Sequence, residues 1–364
     1  MWDTWPVTLD LDPGLGSAGN PRLVRAIIHA MAGGALPFER FMELALYHPK
    51  YGYYRKPGRV GPDGDFLTSP AIHPMFGWAI GGWLRWTWQG LGEPATFTVI
   101  EPGAGEGLLA TSILDWAEGR DDGFRDALRY VAIEPNAPGR DSRIDWRDRA
   151  PEPVANGAVV TNELFDALPV RLFDASERGP VEVFVRWDGE RFVEVPGGVA
   201  SIDGAPEAGR FEVNQRAYPA MRDLCGLVER GAVLVFDYGY PQEDLWAPWR
   251  TTGTLLCFYR HTAHEDPYIH VGDQDMTTHV NFTDLAFAAQ ASGFDVHGPV
   301  SQSAFLWAAG LGEVVESARA EMAEYFSRRR ALERLTDGAG LGRVRVLAAT
   351  RGFDAGTPPG FGEA

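Results

Sequence analysis

The chain has 364 residues, is 45% hydrophobic and 23% charged, and carries a net charge of −17 from 33 basic and 50 acidic side chains. That length admits one large α/β domain with insertions or two domains, and the acidic balance argues against nucleic acid as a partner, which needs a basic footprint. Two cysteines, Cys225 and Cys257, are too few for a disulfide framework, and no run approaches the roughly 18 apolar residues of a membrane span.

The start, Met1-Trp2-Asp3-Thr4-Trp5, lacks the basic opening and apolar core of a signal peptide. Elimination therefore leaves a cytoplasmic location as the expectation. A first helix is predicted over 21–32, with Asn20 as its cap and Pro21 at its first position, ended by Gly33-Gly34. A second follows over 37–47. Residues 49–74 read as a long loop, broken by Gly52, Gly58, Gly61 and Gly64 and by prolines, yet rich enough in Tyr51, Tyr53, Tyr54, Phe66 and Leu67 to be ordered. Residues 75–91 read as a tryptophan-rich helix.

An α/β series begins at 96–100, a β-rich run that leads into Glu101-Pro102-Gly103-Ala104-Gly105-Glu106-Gly107 and then a helix over 108–118. Further strands are predicted at 130–133, 158–161 and 232–236, each ending in polar residues: Glu134, Asn162-Glu163 and Asp237-Tyr238-Gly239. Short apolar strands with polar C-terminal ends are the pattern of a parallel sheet, which binds ligands along that rim. Between the last two strands, 181–187 and 191–195 flank Asp188-Gly189 and read as a β-hairpin within an insertion spanning 170–220. Residues 282–292 and 312–335 read as helices, 295–300 and 344–349 as the closing strands, and 354–364 as a frayed tail.

The glycine turn carries the most information. Gly103 and Gly105 let backbone approach a ligand closely, and the helix behind them begins with free N–H groups. Dinucleotide sites prefer Gly-x-Gly-x-x-Gly with an acid about 20 residues on. Here the third glycine comes one position early and Glu101 directly precedes the turn. A carboxylate there suits the cationic methionyl end of S-adenosylmethionine better than a pyrophosphate. Glu134, 29 residues past Gly105, stands where this fold class contacts a ribose.

Asn162-Glu163-Leu164-Phe165-Asp166-Ala167-Leu168-Pro169 is the second site-bearing stretch. Methyl transfer needs mainly positioning and acceptor electrostatics. Asn162 can orient the cofactor or the nucleophile, and Glu163 and Asp166 can hold a cationic acceptor and take its proton. Asp166 reads equally well as a cap of the following turn. His261, His264, His270 and His279 crowd a later loop, but their spacing matches no helical ligand pair and no metal is expected.

Taken together, Phe41 to Pro49 with Gly52-Tyr53-Tyr54, Gly64 to Pro70 with Phe76-Gly77, the glycine turn, Asn162 to Pro169, Asp237 to Gly239, Gly253-Thr254-Leu255, Gly272 to Val280 and Ser303 to Leu306 resemble one family. It is the MidA-like S-adenosylmethionine-dependent methyltransferases, which include a mitochondrial complex I assembly factor that methylates a protein arginine. The resemblance covers about 21–350. It implies a class I, Rossmann-like, mostly parallel α/β sheet with an N-terminal helical and loop region (1–92), a methyltransferase domain (93–353) with the β-rich insertion, and S-adenosyl-L-methionine as cofactor.

It further implies that a loop over 64–70 covers the cofactor through Asp65, Thr68, Ser69 and Pro70, beside Glu101, Gly103, Gly105, Glu134 and Asn162. Asn162, Glu163 and Asp166 are the expected catalytic residues. Ala71 and His73 depart from the family pattern on the acceptor side and bear on arginine specificity. The methyl acceptor is accordingly a protein arginine, with a small-molecule O-, N- or C-acceptor, or a catalytically silent assembly protein, as alternatives. The insertion is a candidate for partner contacts, including a homodimer.

Overall fold

The computed structural model describes residues 18–56, 68–136, 141–353 and 356–362. The chain divides into two compact units. One comprises Met1–Arg59, Pro169–Val213 and Thr251–Thr277, the other Val60–Leu168, Asn214–Arg250 and Thr278–Ala364.

The second unit is built on a seven-stranded sheet: β1 (Phe97–Pro102), β2 (Leu128–Ile133), β3 (Ile144–Arg147), β4 (Val154–Asn162), β5 (Val228–Asp237), β6 (Asp295–Ser301) and β7 (Arg345–Arg351). Their spatial order is β6-β7-β5-β4-β1-β2-β3. β1 to β5 are mutually parallel, and β7 runs antiparallel to both β5 and β6, so β6 regains the common direction. The chain builds outward from β1 to β3 and then returns to β4 beside β1. Such a reversal opens a crevice at the strand C-termini, where ligands of this architecture bind.

Alternation along the strands divides the core between the two sheet faces. Phe97, Val99, Tyr130, Ala158, Val160, Leu234 and Phe236 pack with helix α1 (Met75–Gly90) and helix α2 (Leu108–Glu118). Ile100, Val131, Val159, Val233 and Val235 pack with helix α3 (Ala217–Gly226) and helix α4 (Phe282–Ala291). The tryptophans of α1 are mostly core: Trp83 and Trp88 are buried, and the Trp116 ring of α2 lies where a Cβ at Gly81 would reach it at 2.6 Å. Residues 75–90, assigned by sequence to the N-terminal region, thus belong with the sheet because their apolar face covers it.

The other unit gathers three separated stretches. Val181–Trp187 is central to a second sheet and pairs antiparallel with Leu36–Pro37, Arg171–Asp174 and Phe192–Val199; Arg210–Val213 extends it. Helices Pro21–Ala30 and Phe38–Tyr47 bring Leu23, Ile27, Phe38 and Phe41 into a core with Val183, Val185 and Phe192. Asn20 caps the first helix, accepting from Arg22 N–H at 3.1 Å. The hairpin forms as expected, its turn held by Asp188 Oδ1 accepting from Glu190 and Arg191 N–H, both at 2.9 Å. The segment read as an insertion into one domain is therefore part of a unit shared with the N-terminal helices and 251–277. Its end at 214–220 joins the sheet-bearing unit, where α3 buries Ala217 and Met221. Both cysteines are free and buried.

Candidate active site

The site lies along the C-terminal rim of the large sheet. β1 runs into the glycine turn, and Gly103, Gly105 and Gly107 all have positive φ, at 72°, 53° and 78°. Their neighbours give different reasons for glycine. A Cβ at Gly107 would meet the Trp146 ring at 2.8 Å, so that position serves packing at the start of α2; a Cβ at Gly105 would meet nothing within 4 Å. Gly105 therefore borders open space just before a helix N-terminus, where backbone N–H groups favour a polar or anionic ligand group.

Glu134, just past β2, braces that turn. One carboxylate oxygen accepts from Gly105 N–H at 3.3 Å and the other from Asn136 N–H at 3.1 Å. It thus stands beside the glycine turn, at the position expected to face a ribose. Glu101 turns to Tyr130. It is 4% exposed and accepts from the Tyr130 hydroxyl at 2.8 Å. Burial pushes its pKa up to about 8, against the lowering effect of the Tyr130 bond. Expected to meet the cationic end of the cofactor, Glu101 has its described contact with Tyr130, and strand period 2 places it on the same face as Phe97 and Val99.

β4 ends in Asn162, whose amide N–H donates to Glu163 at 3.1 Å. Its Oδ1 is buried and has no hydrogen-bond partner among the described residues. A buried acceptor without a partner is costly and fits a ligand donor at this spot. Glu163 has φ +53°, a left-handed conformation uncommon outside glycine and enriched where function holds the backbone. Its N–H donates to Phe236 O at 2.9 Å, which ties the turn to β5. Asp166 is 5% exposed, and its carbonyl accepts from Thr278 N–H at 2.9 Å.

Asp237, at the end of β5, holds this turn from below. It is fully buried; Oδ2 accepts from Leu164 N–H at 3.1 Å and Phe165 N–H at 2.8 Å, and Oδ1 from Tyr238 N–H at 2.8 Å. Burial and the Glu163 charge push its pKa up to about 7, against three backbone bonds that lower it. Sequence reasoning put Asp237 on the rim but gave it no task. The available signal was that β5 ends in an acid, as β4 ends in an amide followed directly by one.

The expected covering segment is placed only in part. Asp65 lies outside the described residues. Thr68 and Ser69 are buried and Pro70 is half-buried, and the Ser69 hydroxyl donates to Gln302 at 3.0 Å, so its described contact is structural. His73 Nδ1 accepts from Met75 N–H at 3.1 Å, and burial lowers its pKa. Of the four loop histidines, His264 and His270 pack ring to ring with centroids 6.3 Å apart; His261 belongs to the same unit and His279 to the other.

A doubly flanked, mostly parallel sheet with a glycine turn after its first strand, a carboxylate after its second and an amide–carboxylate pair after its fourth defines a class I nucleoside-cofactor enzyme. A family model for S-adenosyl-L-methionine-dependent methyltransferases matches residues 79–300, more than half of the chain, and the protein belongs to that family. The structure of a Burkholderia thailandensis protein solved with S-adenosylhomocysteine bound is similar at a TM-score of 0.85, with 31% identity and 98% of each chain covered. Among curated relatives, the mitochondrial protein arginine methyltransferase NDUFAF7 homolog of Drosophila melanogaster is 28% identical, over 87% of this chain and 82% of its own. NDUFAF7 of Mus musculus is 28% identical, over 82% and 76%.

The protein is thus an S-adenosylmethionine-dependent methyltransferase, as the MidA-like resemblance implied. The buried, unpartnered Asn162 Oδ1, the open side of Gly105 and the Glu134 carboxylate fit that cofactor. The expected cytoplasmic location is overturned, because these named relatives are mitochondrial. That expectation rested on what the first residues lack, whereas an organelle address is read by a receptor and is not dictated by the fold.

Proposed function

We propose that this methyltransferase acts on a protein arginine side chain. The observation that carries the reading is the Asn162–Glu163 pair at the end of β4, with Glu163 in the left-handed region and its carboxylate tied to the Asn162 amide at 3.1 Å. With buried Asp166 three residues on, the turn offers acids of the kind that bind a guanidinium through charge-assisted hydrogen bonds. Relatives at 27–28% identity, named protein arginine methyltransferases, support the same acceptor.

S-adenosylmethionine supplies an activated methyl group; Gly103, Gly105, Glu134 and Asn162 are the residues that would hold it. Glu163 orients the acceptor and takes up the proton it gives up, and Asp166 assists. A general base in this role contributes about 10²–10⁴-fold to rate.

The test uses labelled cofactor, an arginine-bearing protein fraction and, separately, a pool of small metabolites. Label is expected in protein arginine, falling at least about 100-fold in Glu163→Gln while S-adenosylhomocysteine affinity is unchanged. Label confined to small molecules would replace the acceptor assignment. Full turnover in the variant would remove Glu163 from catalysis.

A further inference from the structure

Arg85 pairs with Asp122, Arg328 with Glu324, and Arg143 with Asp115, Glu118 and Asp141. Arg250, Arg343 and Arg345 of the same unit form no ion pair among the described residues, although acids outnumber bases 50 to 33 in this chain. Arg250 comes from one stretch and Arg343 and Arg345 from another, and Arg250 and Arg345 meet at one ring. The guanidinium carbons of Arg250 and Arg345 lie 4.9 Å and 5.5 Å from the centre of the Tyr240 ring. The His279 ring packs on the same tyrosine at 5.3 Å. Arg250 Nε and Arg345 Nε are buried without a hydrogen-bond partner among the described residues. Burial, with Arg250 and Arg343 adding in the same direction, lowers His279 to about 4, so the neighbouring imidazole adds no positive charge of its own and the guanidiniums are the charge there.

The cluster adjoins the methyl-transfer rim. Arg345 is register partner to Asp237 across β5 and β7. Tyr238, the next residue, feels the charges of Glu163 and Asp166 and, in the opposite sense, that of Arg343. Cations stacked on an aromatic ring keep their donor edges available, and unpaired buried donors call for an acceptor. Trp249, 72% exposed, lies under the Arg250 guanidinium at 4.6 Å. Exposed tryptophan and arginine together are the residue types that anchor protein partners.

We propose that Arg250 and Arg345 form an anion subsite that takes an acidic side chain of the protein acceptor, next to the residue being methylated. The proposal rests on the protein-acceptor reading above. Selection there runs against the field of a chain of net charge −17, which repels acidic peptides elsewhere on its surface.

The test titrates the protein, loaded with S-adenosylhomocysteine, with short labelled peptides at fixed ionic strength, binding read by fluorescence anisotropy. The peptides share a central arginine and differ in its flanks: aspartate, asparagine or phosphoserine. The aspartate peptide is expected to bind about tenfold tighter than the asparagine peptide, the worth of one charge-assisted contact. That preference should vanish in Arg250→Gln and Arg345→Gln and survive in part in Arg345→Lys, with S-adenosylhomocysteine affinity constant throughout. Equal affinity of the aspartate and asparagine peptides, including no binding of either by cofactor-competent protein, would overturn the subsite, as would a preference that persists in both glutamine variants. A phosphoserine peptide binding more than tenfold tighter than the aspartate peptide would overturn the carboxylate assignment. A second peptide pair with glutamine at the centre separates the two readings: an aspartate preference that persists there keeps the subsite even if arginine is not the methylated residue.

Discussion

Asp237 accepts from the backbone N–H of Phe165 at 2.8 Å, and through that bond the end of β5 sets the shape of the turn that follows β4. The same oxygen takes the Leu164 N–H, and the other takes Tyr238 N–H. One buried carboxylate thus fixes three backbone donors around Glu163, whose left-handed φ needs such support.

Replacing Asp237 by asparagine keeps the volume but turns one acceptor into a donor, facing N–H groups that already donate. The cost of the unmatched buried donors is about 1–3 kcal/mol. Asp237→Asn is expected to lower stability by that amount in chemical denaturation. It should lower kcat more than it weakens S-adenosylhomocysteine binding, because the displaced turn carries the acceptor-side residues. Unchanged kcat in a folded variant would show that the turn holds its shape without the clamp.

Glu101 and Asp237 give a defined dependence on pH. Both are buried acids whose folded pKa lies above the ordinary value, Glu101 at about 8 and Asp237 at about 7. The folded state therefore binds more protons than the unfolded one from the ordinary carboxylate range, about pH 4, up to these raised values. The associated stability is complete below about pH 4 and is lost as pH rises through 7 and 8. Melting temperature, followed by scanning calorimetry, should fall from pH 5 to 8.5 in wild type and fall less in Glu101→Gln, which is neutral throughout. Equal slopes would mean that Glu101 is already ionised at pH 5.

The glycine turn offers a contrast between two neighbours. Gly105→Ala adds a methyl group into open space at φ +53°, at a backbone cost of about 1–2 kcal/mol. The new group faces the side assigned to the ligand, so affinity for S-adenosylhomocysteine should drop at least about tenfold, or 1.4 kcal/mol. Gly107→Ala meets Trp146 at 2.8 Å and should lose more stability than Gly105→Ala. Wild-type affinity in Gly105→Ala would place the ligand elsewhere along the rim.

Much of this layout was legible from local pattern. The run from β1 through the glycine turn into α2, the carboxylate after β2 and the pair after β4 each announce themselves within a few residues, because apolar strands and their polar ends are written locally. What was not legible is set by distant pairing. Leu36–Pro37 joins Val181–Trp187 across most of a unit, and β7 reverses direction without any change in its apolar character. Residues 312–335, read as a single helix, form Leu311–Ser317 and Met322–Leu335, although no glycine or proline marks the break at 318–321. The inward turn of Glu101 was available from strand period 2, but the attraction of an acid beside a glycine turn outweighed it. The arginine cluster needed the fold, since 250 and 345 meet only when β7 lies along β5.

The most direct test of the central claim is calorimetric titration of S-adenosylhomocysteine into wild type and Glu134→Ala, with NADH as control. Wild type is expected to bind S-adenosylhomocysteine with micromolar affinity, the variant at least tenfold more weakly, and neither to bind NADH. Equal affinity in the two proteins, or no binding to wild type, would contradict the assignment of the β1–β2 rim as the cofactor site.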